Sequence, residues 1–392
     1  MISTARKICF VTGSRADLGL LVWPMRAVRE TPGLSLQIVA TGMHLAPEFG
    51  YTYDAIREEG FEADEWVETL LSSDTGSGVA KSVGLGVIGL SDAFKRLGPD
   101  LVVVLGDRFE MFAAAQVAMF MRIPMAHLFG GDVTEGAIDE SIRHAISKMS
   151  QLHFTSNQAS TRRLLQLGEH PSRVHTIGSV GIDAIKQTHL MDRDSLSQAI
   201  GLTLGERVAV VTFHPVTVEA GRSLLELDEL LAALSSLDPA FRLVFTLANA
   251  DAEGRALNRR IESFVADRPN TVAVASLGRH RYLSLLNQAS VVIGNSSSGL
   301  LEAPSFGTPT VDIGDRQKGR ERAASVFHAT PERGSIVTAI SQALSRGRCD
   351  TVNPYGDGTA SRRFVGIISE IPDFRALLAK EFCDFPADGA RP

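Results

Sequence analysis

Short runs of consecutive apolar residues, many rich in Val and Ile, recur along this chain. They are Ile8–Val11, Leu36–Ala40, Leu101–Leu105, Pro124–Phe129, Leu152–Thr155 and Val174–Ile177, then Val208–Phe213, Leu243–Leu247, Val272–Ala275, Val291–Ile293 and Pro309–Ile313. Unbroken apolarity, rather than alternation, marks strands covered on both faces. Between the runs lie helix-length patterns, such as Leu at 224, 227, 231 and 234. Strand and helix in alternation require βαβ units and parallel sheets. The alternation runs twice, with the polar stretch Lys186–Ser197 between the two sets. The expected fold class is therefore α/β, with two Rossmann-like doubly wound domains at residues 1–185 and 186–392. The last helix is free to pack back on the first domain. In open parallel sheets, ligands bind beyond the carboxyl ends of the strands. Two such edges facing each other would form a central cleft, so the polar residues that follow each run carry the functional information.

Composition narrows the function. The chain is 392 residues long, 44% hydrophobic and 21% charged, which suits two folded cores. A net charge of −6 argues against a general nucleic-acid binder. An aromatic content of 6% argues against stacking platforms for polymers. The three cysteines, Cys9, Cys349 and Cys383, show neither zinc-ligand spacing nor a disulfide framework, as expected in a reducing cytoplasm. Ile8–Val11 is too short for a signal-peptide core, and Met111–Met121, interrupted by Gln116, is about half a membrane span. The expectation is a cytoplasmic protein without metal or membrane partner.

Several strand ends carry chemistry. Thr12-Gly13-Ser14-Arg15-Ala16-Asp17 opens a helix, where free backbone N–H groups and Arg15 can meet an anion, or where an ordinary βα turn carries a surface Arg. Asp107 follows a central strand and can be a catalytic carboxylate, the cap of the next helix, or both. Gly130-Gly131-Asp132 precedes a helix with Asp139/Arg143 and Glu140/His144 at i,i+4, a spacing that by itself favours surface ion pairs. His214 follows Val208–Phe213; alone it reads as a structural histidine, and facing a cleft it becomes a candidate catalyst. Gly294-Asn295-Ser296-Ser297-Ser298-Gly299 places small hydroxyls at a helix start, and Glu302, four residues after Ser298, can accept both hydroxyls of a ribose. Arg316, Lys318, Arg320 and Arg322 can neutralise a diphosphate or form a solvated loop. Gly84-Leu85-Gly86-Val87-Ile88-Gly89 matches a dinucleotide fingerprint, but the polar Ser72–Ser82 precedes it where a strand is required, so the glycines read as close helix packing.

Seven segments in order then resemble one family: Thr12–Leu21, Thr41–Gly50, Leu105–Glu110, Thr134–His144, Thr212–Glu219, Gly294–Pro304 and Asp312–Arg320. The chain resembles the hydrolysing UDP-N-acetylglucosamine 2-epimerases of sialic-acid and related nonulosonic-acid pathways. The resemblance implies a glycosyltransferase-B type fold with nucleotide on the C-terminal domain, no cofactor, and a dimer or tetramer. It implies that UDP-GlcNAc and water give N-acetylmannosamine and UDP, by elimination to 2-acetamidoglucal and rehydration. The catalytic residues would be Asp107, Asp132, Asp139 and His214. Ser296, Ser297, Ser298 and Gly299 would hold the diphosphate with Arg15, Lys318 and Arg320, and Glu302 the ribose.

One position departs from that pattern. Close sialic-acid-pathway members carry Glu where this chain has Asp132, a carboxylate one methylene shorter. The departure leaves open a GDP-linked donor or a UDP-2,4-diacetamido-trideoxyhexose. The other readings are a non-hydrolysing epimerase, a glycosyltransferase of the same fold and a non-catalytic nucleotide-sugar-binding protein. His214-Pro215-Val216-Thr217 resembles the hydrolysing branch, and mere binding has no need of Asp107, Asp139 and His214.

Overall fold

The computed structural model describes residues 5–46, 52–71, 73, 75–133, 138–215, 222–248, 254–275 and 277–384. Parts of the motifs at 47–50, 134–137 and 216–219, and the tail 385–392, expected to be frayed, lie outside the described residues. Chain contacts define two compact units, Met1–Ala184 with Gly358–Pro392, and Ile185–Asp357.

The first unit is built on a seven-stranded sheet with order β3-β2-β1-β4-β5-β6-β7. Its strands are β1 (Arg6–Thr12), β2 (Leu34–Thr41), β3 (Glu65–Val67), β4 (Leu101–Leu105), β5 (Met125–Leu128), β6 (Leu152–Thr155) and β7 (Val174–Thr176). The second has six strands with order β10-β9-β8-β11-β12-β13. These are β8 (Val208–Thr212), β9 (Arg242–Thr246), β10 (Thr271–Val274), β11 (Val291–Gly294), β12 (Thr310–Ile313) and β13 (Val326–Ala329). Neighbouring strands pair in parallel in both sheets. Strand order reverses between β1 and β4, and again between β8 and β11. Those two switch points are where a doubly wound sheet opens a crevice for a ligand.

The apolar runs became strands because helices cover both faces. In the first unit, Phe10, Val103 and Phe154 face one buried cluster while Val11, Val102 and Val104 face another. The Gly84–Gly89 segment lies inside one continuous helix, Gly76–Leu97. A Cβ at Gly86 would stand 3.0 Å from the Ala113 Cβ, and one at Gly89 only 2.5 Å from Val67 Cγ1. These two glycines let the helix sit close to its neighbours.

The C-terminal helix Ala360–Glu370 packs on the first unit. Asp183 accepts hydrogen bonds from the Ala360 and Ser361 N–H groups at 2.9 and 2.6 Å, capping the helix from a distant segment. Phe364 meets Phe10 and Phe154 edge-on, with centroids at 6.1 and 4.8 Å. Beyond it, the Lys380 ammonium lies 2.7 Å from the fully buried Glu169. Burial acts to raise the Glu169 carboxyl, but hydrogen bonds from His153, Lys148 and Lys380 hold it at about 2.

His127 makes the first unit acid-sensitive. It is fully buried in β5, and its ring bonds to the Gly106 carbonyl at 2.7 Å and the Ser147 hydroxyl at 3.0 Å. Burial, above all, lowers its pKa to about 3. The folded imidazole thus stays neutral while the unfolded one gains a proton below about pH 6.5. Stability is complete above that value and falls as the pH drops toward 3. At pH 5 the loss from His127 alone should be about 2 kcal/mol relative to pH 7.5. Trp23 and Trp66, the two tryptophans, both lie in the first unit, so urea unfolding followed by their fluorescence reads it directly. Equal midpoints at the two pH values would refute the assignment.

Candidate active site

In the first unit the acidic residues gather beyond β4 and β5 around one arginine. Arg143, on the helix Ile138–Met149, is only 4% exposed. It ion-pairs with Asp107, donates to Glu140 Oε2 at 2.9 Å and donates to the Asp132 carbonyl at 2.7 Å. One guanidinium thereby ties together the ends of β4 and β5 and the helix that follows. Its planar fork suits this, because several donors leave it in fixed directions. The helix after β4 is capped at Arg108, so the capping reading of Asp107 does not hold. The surface-pair reading fails for Arg143, which is buried and takes Glu140 at i,i+3. Glu140 and His144 do meet, 3.1 Å apart, but both are half-buried and Glu140 is shared with Arg143.

Asp132 is half-buried. Its Oδ1 accepts from the Ser156 hydroxyl at 2.9 Å and the Ser160 hydroxyl at 2.5 Å. Asp139 is exposed, yet its carboxyl is raised, first by partial loss of water and then by the Asp107 charge.

The turn after β1 differs from expectation. Ser14 caps the helix, and the Asp17 carboxylate accepts the Gly13 and Ser14 N–H groups at 2.7 Å each. The donors expected for an anion are thus already satisfied from within. Arg15 remains, exposed, as the first residue of the helix. Against Gly13 of this turn Glu110 is buried, and Arg108 holds it through Nε at 3.1 Å and Nη2 at 2.8 Å.

In the second unit the switch point is closed by a residue the sequence reading passed over. Asn295, 1% exposed, accepts from the His214 N–H at 2.7 Å and donates to the His214 carbonyl at 2.9 Å. Its own carbonyl accepts from Arg316 at 3.1 Å and Gln317 at 2.9 Å. Asn295 therefore fixes the backbone of half-buried His214 and the start of the basic loop in one step. Within that loop Arg322 is spent on buried Asp312 at 2.7 Å. Lys318 is exposed and Arg320 half-buried.

The serine turn holds a shorter helix than expected. Ser298–Leu301 is a single α-turn, and a 3-10 turn, Ala303–Phe306, takes over where Pro304 removes a donor. Ser297 is its cap residue, and the Ser296 hydroxyl accepts from the Ser298 N–H at 3.4 Å. Gly299 is required by packing, since a Cβ there would stand 2.7 Å from Thr310 Cγ2. Half-buried Glu302 accepts from the Ser298 hydroxyl at 2.6 Å, and burial raises its carboxyl.

Among the described residues no group of three or more His, Cys, Asp or Glu side chains is placed to hold a metal ion. No described helix is long and apolar enough to cross a membrane.

Two doubly wound units, one with an acidic edge and the other with a Gly-Asn-Ser turn, define a glycosyltransferase-B type fold. The model of the UDP-N-acetylglucosamine 2-epimerase family matches residues 26–369. The chain is 43% identical to a GDP/UDP-N,N'-diacetylbacillosamine 2-epimerase (hydrolyzing) of Campylobacter jejuni, over 82% of this chain and 84% of that one. It is 33% identical to a UDP-N,N'-diacetylbacillosamine 2-epimerase (hydrolyzing) of Legionella pneumophila, over 96% and 98%. The crystal structure of UDP-GlcNAc 2-epimerase from Neisseria meningitidis bound to UDP-GlcNAc shares the fold. Its TM-score is 0.76 at 19% identity, covering 93% of this chain and 100% of that one. The chain belongs to the UDP-N-acetylglucosamine 2-epimerase family and is a hydrolysing epimerase of nucleotide sugars.

Proposed function

We propose that the enzyme acts on a UDP- or GDP-linked 2-acetamido sugar and prefers 2,4-diacetamido-2,4,6-trideoxyglucose over N-acetylglucosamine. It would release the free 2-epimer and the nucleoside diphosphate. The observation that carries the chemistry is the set of carboxylates around Arg143. A base removes the C2 proton, the C1–O bond breaks with its electron pair leaving on the diphosphate, and a glycal remains. Water then adds at C1 while a proton returns to C2 from the other face. That sequence needs a base, an acid and positive charge near the leaving group.

In this reading Asp107, Asp132, Asp139 and His214 supply the proton transfers. Partial loss of water and the Asp107 charge raise the Asp139 carboxyl, the direction that favours an acid role. Arg15, Lys318 and Arg320 neutralise the diphosphate with Ser296, Ser297 and the Ser298–Gly299 backbone, and Glu302 takes the ribose. Two observations support the diacetamido sugar. The Campylobacter and Legionella relatives are both named for it. Asp132 is a carboxylate one methylene shorter than Glu and is drawn onto Ser156 and Ser160, which in this reading would leave room for a second acetamido group.

The test is incubation in D2O with UDP- and GDP-linked forms of both sugars, followed by NMR. The expected product is the free manno-configured diacetamido sugar with deuterium at C2, formed faster than N-acetylmannosamine. Faster turnover of UDP-GlcNAc would reject the sugar preference. An epimer still carrying nucleotide would reject hydrolysis, and binding without turnover would reject catalysis.

A further inference from the structure

Tyr282 lies outside the seven motif segments, on the helix Gly278–Gln288. Its phenol donates to the Ser298 hydroxyl at 2.7 Å, and that hydroxyl donates to Glu302 Oε2 at 2.6 Å. A serine hydroxyl has one proton and two lone pairs. Once it accepts from Tyr282, its proton is committed to Glu302, so it has none to give a phosphate. The Ser298 side chain is therefore a relay rather than a diphosphate ligand.

We propose that Tyr282 is a positioning residue for nucleoside recognition, acting through Ser298 to orient the Glu302 carboxylate toward the vicinal diol of the ribose. The inference rests on the assignment of Glu302 to the ribose made above. A carboxylate only accepts, and each of two neighbouring hydroxyls has a proton to donate to it, so the pair is recognised when the carboxylate is held in one rotamer. Glutamate has three side-chain torsions, and holding one oxygen by a directed hydrogen bond removes most of that freedom. The phenol keeps its proton: burial first, and the Glu302 charge next, push its pKa up, against opposing hydrogen bonds with Ser298 and Thr212. Burial disfavours the Glu302 charge, while the Ser298 hydrogen bond and the Arg279 charge oppose that effect. The relay thus both aims the carboxylate and supports its ionised form.

The experiment compares the binding of UDP and GDP with that of their 2′,3′-dideoxy forms by titration calorimetry, on the full chain. The wild type should prefer the ribose form, and Glu302→Gln should abolish the preference. Tyr282→Phe should weaken the ribose form by about three- to tenfold, the range for one neutral hydrogen bond, while the dideoxy form changes by less than twofold. Ser298→Ala breaks the relay at its other end and should repeat the pattern even if Tyr282→Phe folds poorly. If Tyr282→Phe and Ser298→Ala weaken both ligands equally, or neither, the relay is refuted and the ribose assignment stands. If Glu302→Gln still discriminates like the wild type, the ribose assignment falls and the relay with it.

Discussion

Replacing Asp107 by Asn should lower kcat by about 10²- to 10⁴-fold, the range for removing a positioned acid or base, and leave UDP affinity within about threefold. The amide matches the carboxylate in shape, so the end of β4 need not move. Arg143 loses its Asp107 partner but keeps Glu140 and the Asp132 carbonyl, so its buried charge is not stranded. Asp107 is itself 26% exposed at its side chain, which softens the cost of change. Affinity should hold because the residues assigned to the nucleotide are chiefly those of the second unit. Turnover and calorimetric titration with UDP, measured on one preparation, decide the matter. Turnover within tenfold of wild type would remove Asp107 from the catalytic set. A lowered melting temperature together with weaker UDP binding would assign it to structure instead.

The fold was legible where burial on both faces forced a run of apolar residues. Every run named from the sequence falls on a strand. The strands without such a signal, β3 (Glu65-Trp66-Val67) and β13 (Val326-Phe327-His328-Ala329), are two of the four sheet edges; the other two, β7 and β10, carried one. An edge strand pairs on one side only and tolerates polar, exposed positions, so the two-sided pattern can be missing there, as it is in β3 and β13.

The candidate site was legible as a set of strand-end residues and not as a network. Arg143 looked like half of a surface pair because i,i+4 spacing shows only its own helix. Its decisive partner, Asp107, lies 36 residues away. Asn295 binds His214 across 81 residues, and no local rule links them. Asp17 shows the same limit at short range: the sequence shows a carboxylate in the first turn, but only the folded turn shows that it fills the anion position itself.

The largest effect on stability is expected at Gly294. This residue ends β11, pairs with Thr212 of β8 and has φ of +140°. A Cβ there would lie 1.9 Å from the Thr212 carbonyl oxygen and 2.7 Å from its carbon, both backbone atoms in a buried strand. No side-chain rotation relieves such a contact, and a residue other than glycine resists that φ. Gly294→Ala must therefore push β8 and β11 apart at the point where strand order reverses. Asn295 donates its N–H to the same Thr212 carbonyl at 3.1 Å, and its side chain holds His214. The damage thus runs directly into the candidate site. The cost should exceed about 4 kcal/mol, the exceptional range that marks a named steric cause. Nucleotide binding should be lost, and far-ultraviolet dichroism should show a lowered or separate melting step. Gly334→Ala is the matched control: nothing lies within 4 Å of its Cβ position, in the helix Arg333–Arg346. Alanine there should be neutral or stabilising by up to about 1 kcal/mol. If Gly294→Ala melts and binds like that control, the contact across β8 and β11 does not constrain the site.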